Sequence, residues 1–197
     1  MKKSIAILLI SLFCTSSAVA GVMSFKAWIG YSEPNQDSYE QMDCFEIGTQ
    51  NLSASQVEIV KEVAGFVCKV ILSQEFRNTI ASSSFRASCS DTDLMSGDRL
   101  NEVLEGLPKR FSLYFSKPFR ATGQTHRDKS RIAIHKNRIS KWKSGDKEAL
   151  ISTFSHELTH LISSSFSDDG WSTPPCSKGQ LVSYEVGRIV AEIALNE

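Results

Sequence analysis

Lys147-Glu148-Ala149-Leu150-Ile151-Ser152-Thr153-Phe154-Ser155-His156-Glu157-Leu158-Thr159-His160-Leu161-Ile162-Ser163 runs without proline or glycine. Leu150, Phe154, Leu158 and Leu161 recur at steps of four, four and three, the spacing of one helical face. Ser144, Gly145 and Asp146 supply helix-start chemistry just upstream. The segment is predicted to be an amphipathic helix held to a core by that stripe. His156 and His160 fall off the stripe. Residues four apart share a helix face, so His156 and His160 are placed to offer imidazole nitrogens to one zinc ion, with Glu157 beside its water. This is the HExxH arrangement, and its chemistry is hydrolytic.

A catalytic zinc ordinarily takes three protein ligands and keeps one position open, so a third group must lie elsewhere. No histidine follows His160, which excludes the HExxHxxGxxH pattern. Asp168 and Asp169 are the nearest downstream carboxylates, and Gly170 permits the chain to turn back toward the helix. Glu185 is a more distant candidate, in a terminal helix expected over Gly179 to Leu195. The remaining histidines, His126 and His135, lie upstream on loop or strand segments, where solvent-facing or hydrogen-bonded side chains are the ordinary outcome.

The residues after His160 carry a resemblance. The deuterolysin-like aspzincins, which include fungal neutral proteases and lysine-specific metalloendopeptidases, follow HExxH with GTxxDxxYG or GTxDxxYG and use an aspartate as third zinc ligand. Here Phe166-Ser167-Asp168-Asp169-Gly170-Trp171 occupies that place, and Ser183-Tyr184-Glu185 is similar to a later helical stretch of the family. The resemblance covers roughly the last third of the chain. It implies Asp169 as third ligand with Asp168 next in line, a zincin-like domain, and peptide or protein substrates. It also implies a zinc-held water whose pKa falls from about 15.7 toward about 7 and passes its proton to Glu157 as general base. Two departures stand out. Phe166-Ser167 replaces Gly-Thr, and Ser172 stands where the family's tyrosine steadies the oxyanion, leaving Tyr184 or Trp171 for that role. The alternative function is a zinc-binding but inactive relative, or a disulfide-stapled secreted interaction protein.

Residues Met1 to Ala20 read as a secretory signal, with Lys2 and Lys3 as charged start, Ile5 to Phe13 as apolar run and Ala18-Val19-Ala20 as cleavage site. The apolar run is too short to span a bilayer, so the expected product is secreted or periplasmic, begins near Gly21 and has no membrane association. The chain holds 22 basic and 22 acidic residues. Loss of Lys2 and Lys3 leaves about −2, a balance that does not recruit nucleic acid. The remaining 21–197 suit one domain, with Lys26 to Gln50 read as irregular or strand-forming surface structure and 21–50 as an N-terminal extension to it. Cys44, Cys68, Cys89 and Cys176 form an even set in an exported chain and imply two disulfides with three connectivities. Cys68 sits in a helix, and Cys44 and Cys89 fit it equally well as partner.

Between these points the elements alternate. Ser55 opens a long helix through Val57, Val60, Ala64, Val67, Ile71 and Phe76, with Ser55 and Glu58 as capping box. A shorter helix is expected from Asp98 to Leu107, closed by Pro108. Phe111, Tyr114 and Phe115 among basic residues read as a half-buried strand rather than a nucleic-acid surface. Arg131-Ile132-Ala133-Ile134-His135 alternates like a strand and is the expected edge for pairing an extended substrate. Pro174-Pro175-Cys176 reads as a constrained loop near the site. The class is α+β, mainly helical, with a small strand region before the HExxH helix.

Overall fold

Alternation along Arg110–Ser116 buries Phe111 and Leu113 and marks the strand around which the sheet is built. The computed structural model describes residues 39–49, 52–116, 121–168 and 178–196. The signal segment, Asp169, Trp171, Ser172 and the Pro174-Pro175-Cys176 loop lie outside the described residues. The described residues fall in one compact unit.

The main sheet has five strands in the order β1 (Tyr39–Gln41), β2 (Glu46–Gly48), β5 (Arg110–Ser116), β7 (Arg131–His135) and β6 (Gly123–His126). Strands β2, β5 and β7 run parallel, with Ile47 opposite Phe111 and Leu113 opposite Ile132; β1 and β6 are antiparallel edges. A second, two-stranded sheet pairs β3 (Ser84–Phe85) with β4 (Met95–Ser96). The described helices are α1 (Ala54–Ile71), α2 (Gln74–Ala81), α3 (Gly97–Leu104), α4 (Asn137–Lys143), α5 (Glu148–Ile162) and α6 (Val182–Asn196). The α+β class is thus observed, with a larger, mixed sheet than the strand signals suggested.

Helix α5 lies in the interior. Of the stripe, Leu150, Phe154 and Leu158 are buried and Leu161 is half-buried, yet Ile151, Thr153, Ser155, Glu157 and Thr159, off the stripe, are buried as well. The helix is therefore covered on more than one face. Two of the hydroxyls bring partners with them, Thr153 Oγ1 donating to Ala149 O and Thr159 Oγ1 to His156 O, while Ser155 Oγ is buried without a hydrogen-bond partner among the described residues. Phe154 meets Phe45 and Phe111, with ring centroids 6.1 and 6.0 Å away, which joins α5 to the β2 and β5 side of the core.

Several boundaries differ from expectation. The first helix starts two residues early, with Ser53 as cap and Gln56 Oε1 accepting the Ser53 N–H at 2.8 Å, so Ser55 and Glu58 lie inside it. It ends at Ile71, and Phe76 belongs to α2, whose N-cap Ser73 accepts the Phe76 N–H at 3.1 Å. Helix α3 is shorter than Asp98 to Leu107, and the terminal helix begins at Val182 after a 3-10 turn. The strand Arg131–His135 is present but is not the edge; β6 covers it. Cys44 and Cys68 are bonded, tying the β1–β2 segment to α1. Closing a loop of that length stabilises by about 3 kcal/mol in the chain-entropy account. Cys89 is also disulfide-bonded.

Candidate metal centre

The site forms along the second half of α5 because two elements press close to it. On one flank lies α6, where a Cβ built on Gly187 would sit 2.7 Å from Ser152 O and 3.4 Å from His156 Cβ. On the other lies β6, where a Cβ on Gly123 would sit 2.4 Å from Glu157 Oε1. Both contacts need a residue without a side chain. At the start of α5, Gly145 takes φ +95° and Asp146 Oδ1 accepts the Ala149 N–H, the helix-start role expected of that stretch.

His156 Nε2 lies 2.8 Å from Asp168 Oδ2, His160 Nε2 lies 3.3 Å from the same oxygen, and the two Nε2 atoms are 3.3 Å apart. These three atoms could hold a metal ion. A tetrahedral ion with bonds of about 2.0–2.1 Å spaces its ligand atoms about 3.3 Å apart. Two edges of the triangle match that spacing, and the shorter one is a direct imidazole–carboxylate hydrogen bond.

Neighbouring groups orient each donor. His160 Nδ1 donates to Phe166 O at 2.8 Å, which turns Nε2 toward the centre. Ser183 Oγ donates to Asp168 Oδ1 at 2.5 Å and turns Oδ2 toward the imidazoles. Burial opposes the Asp168 charge, but hydrogen bonds from His156, His160 and Ser183 outweigh it and hold the carboxyl far below its ordinary range. For His160, burial acts downward, while the hydrogen bond and charge of Asp168 more than compensate and raise its pKa. Tyr184 packs edge-on to His156, 4.6 Å between centroids, and its phenol is pushed up by burial and by the Asp168 and Glu157 charges.

Glu157 is only 4% exposed. Its Oε2 accepts from Thr125 Oγ1 at 2.8 Å, and its Oε1 lies 3.9 Å from His156 Nε2. Burial raises its pKa against the opposing pull of His156 and the Thr125 hydroxyl. Beside it opens a cleft of about 710 Å³ lined by residues of β6 and the following turn, together with Glu157, His160, Phe166 and Asp168.

The two imidazoles and Glu157 come together as the motif requires. The carboxylate beside them is that of Asp168; Asp169, implied by the resemblance, is outside the described residues. Glu185 points elsewhere, bonded to Arg188 at 2.8 Å, and is not among the grouped donors. His126 lines the cleft without joining the donor group, and His135 Nδ1 accepts the Asn137 N–H at 2.9 Å. Sequence reasoning missed Gly123, Thr125 and Arg127, which come from a short polar strand and turn with no periodic signal. Ser183 lay inside the stretch quoted for the resemblance, but nothing local marked its hydroxyl as a partner of Asp168. No family model, no curated protein and no solved structure matches this chain.

Proposed function

We propose that this chain is a zinc-dependent endopeptidase of zincin type, exported from the cytoplasm, with His156, His160 and Asp168 as metal ligands and Glu157 as general base. The observation that carries this reading is the donor triangle with a buried carboxylate at its side. Two of its three edges match the spacing of zinc ligands, and two imidazoles with one carboxylate form a ligand set zinc uses in catalytic sites. Bound there, zinc would supply Lewis acidity toward a carbonyl and bring the pKa of a water from about 15.7 to about 7.

The chain's own groups divide the remaining work. Thr125 holds Oε2 of Glu157, so Oε1, on the His156 side, is the oxygen free to accept a proton from the attacking water. Its raised pKa suits a group that takes a proton and then returns it to the departing amine. Ser183 keeps Asp168 turned toward the imidazoles, and Phe166 O fixes the His160 tautomer. Strand β6 is, among the described residues, the sheet edge beside Glu157, suited to pairing with an extended peptide through backbone hydrogen bonds, the role the sequence assigned to β7. Tyr184, which packs against His156 and stays protonated to higher pH than a free phenol, is the described side chain assigned the oxyanion role here, since Ser172 stands where the resembled family has tyrosine. The Cys44–Cys68 bond fits a secreted or periplasmic compartment.

The test is hydrolysis of an unstructured protein substrate, lost with a chelator and restored by zinc. Glu157→Gln should keep the metal and lose about 10²–10⁴-fold in kcat. A Glu157→Gln protein that cleaves at the wild-type rate contradicts the general-base assignment. A zinc-loaded protein without peptidase activity supports the inactive binding module, the reading favoured by Ser172 in place of the family's tyrosine.

A further inference from the structure

Arg127 opens the 3-10 turn Arg127–Lys129 that links β6 to β7. Its Nε donates to His160 O, and its Nη2 donates to Ser163 O and to Phe166 O, the last at 3.3 Å. His160 and Ser163 stand in the last turn and at the C-cap of α5, where carbonyls lack helical partners and the helix end is electronegative. Phe166 O is also the acceptor for His160 Nδ1, and it lies two residues before Asp168. One planar guanidinium therefore bridges the metal-binding helix and the segment that carries the carboxylate ligand.

We infer that Arg127 is a positioning residue of the metal centre, setting the His160 ring and the Asp168 carboxylate in register with one another. This rests on the metal-centre reading above. The fork geometry is what the position requires: Arg presents rigid, divergent donors to several carbonyls, whereas a lysine ammonium is a compact point charge on a flexible stem. Because Phe166 O receives both the guanidinium and the imidazole N–H, loss of Arg127 frees the carbonyl that orients His160. The segment leading to Asp168 loses its tie to α5 at the same time. Outer partners of metal ligands ordinarily change metal affinity by about 10–100-fold when removed.

The test compares the full-length chain with Arg127→Ala and Arg127→Lys. Each is stripped of metal, titrated with Zn²⁺ against a chromogenic chelator, loaded with Co²⁺ for its visible absorption bands, and melted in the metal-free state. The expected result is zinc affinity about 10–100-fold weaker in Arg127→Ala, an intermediate loss in Arg127→Lys, and altered Co²⁺ bands in both. A lowered metal-free melting point with wild-type zinc affinity and Co²⁺ bands overturns the proposal, since that is the signature of a helix cap alone. Should Arg127→Ala fail to fold, Arg127→Lys decides: weakened zinc binding supports the proposal and wild-type affinity overturns it. Wild-type protein that binds no zinc removes the metal-centre reading itself; wild-type protein that binds zinc as tightly as Arg127→Ala removes only the role of Arg127.

Discussion

Glycine presses against both flanks of α5, but the two contacts do different things. On the α6 flank, Gly187 meets the Ser152 carbonyl, a backbone atom deep in the helix–helix contact. On the β6 flank, Gly123 meets the carboxylate of Glu157, the group assigned to proton transfer. The first closeness is scaffold and the second is positioning. A helix that is merely buried would need only the first; a helix that carries chemistry between a packed side and an open cleft needs both.

The comparison is most exposed to Gly123→Ala. The new methyl group displaces Glu157, and a shift of that order is expected to lower kcat by about 100-fold. Zinc content and unfolding midpoint should stay near wild type, as checked by metal analysis and calorimetry. Equal losses of stability and activity would erase the distinction. Gly187→Ala should show first in stability. Forcing α6 away from Ser152 O costs about 1–3 kcal/mol, read in denaturant unfolding, and because α6 also carries Ser183, zinc retention should weaken with it, with a smaller loss of kcat in zinc-loaded molecules than Gly123→Ala shows.

The smallest effect belongs to the start of α5, remote from both flanks. The Lys141 hydrogen bond and the Ala149 N–H hold the Asp146 carboxyl below its ordinary pKa. A carboxyl with a depressed folded pKa contributes stability above its unfolded value, near 3.8, and that contribution is lost as pH falls through the depressed one. Asp146→Asn should therefore be slightly less stable than wild type at neutral pH. The difference should shrink as pH falls below about 3.8, and thermal melts across that range check it.

How much of this was legible follows from how local each signal is. The α5 helix, the strand Arg131–His135 and the HExxH spacing are written within a few residues and appear where expected, although Ile132, Ala133 and Ile134 are all buried rather than alternating, as a strand inside the sheet requires. The start of α1 was misplaced because Ser53 with Gln56 and Ser55 with Glu58 offer the same chemistry two residues apart; the chain uses the first pair. Strand β6 was invisible because Gly123-Gln124-Thr125-His126 lacks an apolar alternation, so β7 was taken for the edge. Thr125 and Arg127 reach α5 from more than thirty residues away, a relation that only the sheet order creates. Between the adjacent Asp168 and Asp169, no local rule selects one. What places Asp168 against the imidazoles is Ser183 on α6 and the carbonyl of Phe166, both tertiary partners.

Zinc stoichiometry of the purified wild type, Asp168→Ala and Asp169→Ala, measured after dialysis against metal-free buffer and zinc reloading, tests the central claim most directly. The arrangement of His156, His160 and Asp168 predicts one zinc per chain in the wild type and in Asp169→Ala, and a large loss of retained zinc in Asp168→Ala. Wild-type protein without zinc, or loss of zinc in Asp169→Ala alone, would contradict it.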